Sequence, residues 1–163
     1  MKGMLWSILA VLMGSVVAVM LVAGGEAIGH WIFPPPAEVK KVLYDSTAME
    51  SIMKDRAAMD ALMGKLPLGS KVAVIVAWGV AAFGGSWLAT WYAARHARAS
   101  VGHGIAVGII LLLATITNLM SFPHPIWMWV GGIALVLVGS FIGTWMAADK
   151  FEGGKPVSGG ELA

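Results

Sequence analysis

Four long apolar runs, at roughly 4–32, 72–94, 104–121 and 126–148, are separated by polar connections. Each comes close to or exceeds the ~20 residues that cross a bilayer as a helix. Lipid offers a backbone no hydrogen-bond partner, so a segment inside it must be helical. The pattern predicts four transmembrane helices. The polar stretch between the first two runs is long enough to hold structure of its own. Within it, Thr47-Ala48-Met49-Glu50 fits a capping box and Gly64 supplies a stop. Met49, Ile52, Met53, Ala57, Met59, Leu62 and Met63 fall largely on one helical face, opposite Lys54, Asp55 and Asp60. The expectation is an amphipathic helix of about 17 residues within an insert at 37–64, lying on the bilayer surface or capping the bundle. The stretch from Gly153 to Ala163 is Gly-rich and polar and reads as a mobile tail behind a single bundle of 1–152.

The runs also echo one another. Gly85-Ser86-Trp87-Leu88-Ala89-Thr90-Trp91 resembles Gly139-Ser140-Phe141-Ile142-Gly143-Thr144-Trp145, and the turns Phe33-Pro34-Pro35-Pro36 and Phe122-Pro123-His124-Pro125 match in kind. The fold class this predicts is an all-α membrane protein of two tandem helical hairpins, with the amphipathic helix inserted in the first connection. Gly85 with Ala89, and Gly139 with Gly143, set small residues four apart, where helix backbones approach closely in lipid. The second and fourth runs are therefore expected to meet. Ser86, Thr90, Ser140 and Thr144 are expected to hydrogen-bond to their own helix or to a neighbour.

Composition agrees with the pattern. Of 163 residues, 58% are hydrophobic and only 12% charged, with a mean hydropathy of +0.80, more apolar surface than a water-soluble domain can hide. The first run has Lys2 ahead of it and Ala23-Gly24-Gly25 near its end, as a secretory signal would. It exceeds the usual ~7–15 apolar residues, which favours a retained signal anchor. A net charge of +2 does not point to nucleic acid, because the charges gather at the ends of apolar runs as topology signals do. Lys2, Arg95, Arg98, Lys150 and Lys155 fall on one side, which favours cytoplasmic termini, although Lys40, Lys41, Lys54, Arg56, Lys65 and Lys71 in the first connection oppose it. There is no cysteine, which excludes disulfides, thiolate metal sites and thiol nucleophiles.

The polar exceptions in the spans are few. Trp6 and Trp31 are about 25 residues apart, or roughly 37 Å of helix, matching two interfacial belts. Glu26 then sits near the outer edge of the hydrocarbon. His30, four residues on, shares its face. Asn118 lies a similar distance below the Pro123-His124-Pro125 turn, where proline ends the third run. The first and third helices run the same way, so Glu26, His30, Asn118 and His124 are expected at one end of the bundle. Gly25-Glu26-Ala27-Ile28-Gly29-His30 with Pro34-Pro35-Pro36, and Asn118 followed by Pro123-His124-Pro125-Ile126-Trp127, resemble the motifs of a family of small uncharacterised bacterial membrane proteins with four predicted spans. The resemblance implies a bacterial inner-membrane protein and brings no activity.

Four roles compete for the cluster. It can be structural, with Glu26 paired to His30 and Asn118 capping a broken helix. It can hold a divalent transition metal through His30, His124 and Glu26. It can form a proton-linked or small-ligand pocket. Bis-histidine haem through His30 and His124 is the residual case. Met49 with Met53, and Met59 with Met63, have thioether spacing for Cu(I), although packing explains a Met stripe more simply. His96 and His103 read as a solvated basic turn. No phosphate loop, serine-nucleophile or zincin motif is present. The sequence therefore points to a non-enzymatic membrane module whose outer-end cluster binds a metal ion or a small polar ligand. The alternatives are a metal-dependent enzyme or proton-coupled carrier using the same residues, or an accessory subunit that docks a membrane-protein partner or a second copy.

Overall fold

The computed structural model describes residues 2–96 and 101–152; the tail at 153–163, Arg98 and Lys155 lie outside the described residues. The described chain is all helical, with α1 (Lys2–Ile32), α2 (Ala37–Tyr44), α3 (Ser46–Lys54), α4 (Arg56–Gly64), α5 (Leu68–His96), α6 (Val101–Ser121) and α7 (Ile126–Glu152). Four of these, α1, α5, α6 and α7, are long and apolar enough to cross a membrane. Their outward faces are apolar too: Val19, Val80, Ile109 and Phe141 are all exposed, which water would penalise and lipid would not.

α5 is the central helix, packing against α1, α6 and α7. The reason is a ladder of small residues every fourth position, Ala73, Ala77, Ala81, Gly85, Ala89 and Ala93. α1 answers with Ala10, Gly14, Ala18, Gly25 and Gly29. The two helices run antiparallel with their backbones nearly touching: a Cβ on Gly14 would meet the Gly85 carbonyl oxygen at 2.6 Å, one on Gly25 would meet Ala77, and one on Gly29 would meet Ala73. Lipid supplies no hydrophobic drive between helices, so such close approach is what holds them.

The echoed tracts pack differently from the expected pairing. α5 and α7 do meet, but Gly139 and Gly143 close on Gly79 and Phe83, while Gly85 and Ala89 face Gly14 of α1. The tracts converge instead on α6. Thr90 and Thr144 press on Gly104, and Ser140 presses on Gly108 with the Ser86 hydroxyl beyond it. All four hydroxyls are buried without a hydrogen-bond partner among the described residues, where a bond to their own helix or a neighbour was expected. The glycine notch brings them against the α6 backbone at its Cα positions, and contacts of that kind are weak.

The insert is not one amphipathic helix but three short ones. Asp45, not Thr47, caps α3, its carboxylate accepting from the backbone N–H of Thr47 and Ala48 at 3.0 and 3.1 Å. Ten residues on, Asp55 does the same for α4, accepting from Ala57 and Ala58 at 2.9 and 3.2 Å. Asp55 adopts an extended backbone to do so, which breaks the apolar stripe in two. The halves fold onto their own core of Val39, Met59 and Leu62, joined by Met49, Ile52 and Phe122. Met53 is left exposed, apart from Met49 in that core. Glu38 and Lys65 tie the start of this cap to its end at 2.8 Å.

Candidate functional site

The end of the bundle that carries the cap holds a cavity of about 280 Å³. Glu26 and His30 of α1, Asn118 of α6 and His124 of the α6–α7 turn all line it. Chain direction accounts for this. α1 and α6 run the same way, the Pro34-Pro35-Pro36 and Pro123-His124-Pro125 turns stop both near one level, and the cap folds over the gap between them. Apolar walls come from Met49 and Met63 of the cap and from Val74 and Met128 of the spans. A few convergent polar groups among apolar walls is the usual make-up of a small-molecule site, and the volume falls just short of the ~300–1,000 Å³ such sites occupy.

His124 has a fixed orientation. Its Nδ1 lies 2.8 Å from the Phe122 carbonyl oxygen, which can only accept, so Nδ1 carries a proton and donates it there, leaving Nε2 outside that bond. The Phe122 ring meets it edge-on. Phe122, Pro123 and His124 also border an adjoining cleft shared with Arg56 and Asp60 of α4. Glu26, His30 and the Asn118 side chain have no polar partner among the described residues. No hydrogen bond or ion pair joins Glu26 to His30, so the expected pairing is absent, and the Asn118 side chain caps nothing, the Phe122 N–H being held by the Asn118 backbone carbonyl.

Among the described residues no three His, Cys, Asp or Glu side chains come together as metal ligands, so Glu26, His30 and His124 share a cavity without converging on one point. One carboxylate, one amide and two imidazoles spread over a wall suit a ligand larger than an ion.

Sequence reasoning missed Ser70 and Lys71, which line the same cavity from the first turns of α5. Lys71 makes no ion pair among the described residues. The α1–α5 register carries the signal: small residues that set Gly29 on Ala73 also bring the start of α5 beside His30. Of the other histidines, His96 is exposed and His103 half-buried, and residues 97–100 between them lie outside the described residues. His96 stacks on Trp6 at 5.1 Å and touches Tyr92 at 4.6 Å, while His103 buries an Nδ1 that has no partner.

A further cavity of about 320 Å³ lies nearer the middle of the spans and opens to the lipid-facing side at Val19, Ala23 and Ala114. Glu26 and Asn118 line it as well, together with Val19, Trp78, Leu111 and Val136. Compared with known proteins, the chain matches no family model, no curated protein and no solved structure, so the motif resemblance rests on Glu26, His30, Asn118, His124 and their neighbours alone.

Proposed function

We propose that this chain is a multi-pass protein of the bacterial inner membrane, with cytoplasmic termini, that binds a small polar ligand at the capped end of its bundle and does not turn it over. In this reading the two hairpins α1–α5 and α6–α7 descend from a duplication, and the cap is an insertion that roofs the ligand cavity. The observation that carries it is the cavity lined by Glu26, His30, Asn118 and His124, three of which have no hydrogen-bond partner among the described residues. Polar groups at the edge of the hydrocarbon are costly when unpaired, and a ligand that pairs them recovers that cost. Basic residues at the opposite end, Arg95 among them, support the orientation.

Intact-mass spectra of protein released gently from native membranes test the reading. A bound adduct is expected in the wild type and its loss in the triple variant Glu26→Gln, Asn118→Ala, His124→Ala with helicity unchanged. A bare wild-type mass, or an adduct indifferent to the three substitutions, overturns it.

A further inference from the structure

The two cavities that share Glu26 and Asn118 differ in the medium they face. Glu26 lies five residues before Trp31, roughly 7 Å along the helix, and Trp31 is 82% exposed, as expected of a residue at the lipid–water boundary. The first cavity, on the Trp31 side of Glu26, is at headgroup depth. The second runs from Glu26 back to Val19, roughly another 10 Å, into the depth of acyl chains. Its walls are aliphatic apart from Trp78, Thr115 and the two shared residues.

From this arrangement we infer that the ligand is a single-chain amphiphile, its chain in the deeper cavity and its head in the capped one. The inference rests on the ligand-binding reading of the capped cavity and adds the chemical class. The head is specified by charge. Glu26 offers a carboxylate at the junction, and Lys71 an ammonium on the same cavity, neither paired among the described residues. A zwitterionic head with its ammonium next to the chain and its anion at the far end answers both in order, the ammonium bonding to Glu26 and the anion to Lys71, each as a charge-assisted hydrogen bond. The Asn118 amide and the His124 Nε2 remain for neutral groups of the head. A fatty acid would leave Glu26 facing a second carboxylate, and a purely cationic head would leave Lys71 unanswered.

The test uses full-length protein in nanodiscs of unlabelled lipid, titrated with a single-chain N-alkyl amino acid, whose ammonium adjoins the chain and whose carboxylate is terminal, brominated along its chain. Trp78, only 5% exposed and lining the deeper cavity, is the reporter. Tryptophan quenching that saturates at low mole fraction is expected, with the saturable part gone in Trp78→Phe. Ala114 and Ala23 line the deeper cavity yet are exposed, so Ala114→Phe and Ala23→Phe fill it without compressing the core, and each should abolish saturation. The double variant Glu26→Gln, Lys71→Met should weaken binding by about tenfold or more, as expected for lost charged hydrogen bonds. A brominated fatty acid should fail to saturate.

Quenching that rises in proportion to label without saturating, or that survives both cavity-filling variants, overturns the amphiphile. If the intact-mass adduct persists while quenching stays unsaturated, the amphiphile falls and the polar-ligand reading stands. If adduct and saturation are both missing, both fall.

Discussion

The two halves of α6 do opposite work. In its first half Gly104 and Gly108 are fully buried, with side chains of α5 and α7 pressed on the backbone. In its second half Thr115 and Asn118 face empty space, and the neighbouring helices stand far enough apart to leave two cavities. Both halves sit between the same partners, so helix arrangement alone does not set the difference. Side-chain size does: glycine draws neighbours in, while Trp78, Leu111 and Leu119 hold them off. A cavity of about 320 Å³ also borders the first half, at Ile105, Gly108, Ser140 and Phe141, but only the cavities of the second half carry ionisable side chains.

The sharpest way to break the contrast is to fill the notch. Gly104→Val sets a side chain against Thr90, Thr144 and the Ser86 carbonyl, and overpacking of that kind should cost about 3 kcal/mol or more in detergent unfolding. Gly102, two residues earlier, has nothing within 4 Å, so Gly102→Ala should be neutral or raise stability by up to about 1 kcal/mol through helix propensity. If both variants unfold alike, the notch is not what holds that half.

Weaker effects are expected at the capped end. Asp55→Ala removes the carboxylate that starts α4 and should cost about 1 kcal/mol, seen as faster hydrogen exchange at Ala57 and Ala58 with the spans unchanged. Glu26→Gln and Asn118→Ala remove side chains with no partner among the described residues. In protein stripped of ligand each should move the unfolding midpoint by less than the equivalent of about 0.5 kcal/mol, and a larger loss there would return the cluster to a structural role.

The smallest effect is electrostatic. The Lys65 ammonium, by hydrogen bond and by charge, holds the Glu38 carboxyl below its usual range. The stability this gives the cap is present above the ordinary carboxylate range and is lost as pH falls through the lowered value. Glu38→Gln should therefore flatten a slight acid-side loss of protection in α2 and leave the spans untouched. Both side chains are exposed, so salt should weaken the effect as well.

The chain's own pattern was enough to place four membrane-long helices, because apolar length is a local property and lipid permits no alternative to helix. It was also enough to send Glu26, His30, Asn118 and His124 to one end, since helix direction and proline stops follow from counting residues. Asp55 shows where local reading fails: the apolar stripe on either side of it is continuous, and only a cap folded onto Val39 and Phe122 makes a break there worthwhile. The central place of α5 was written in its four-residue ladder, yet small residues on α7 looked equally suited to pairing. Choosing between them required all the backbones together, because close approach depends on what every neighbour's side chains permit. The space around Asn118 was likewise decided in three dimensions, for a cavity is where side chains from several helices fail to meet, and no single stretch of sequence contains that fact.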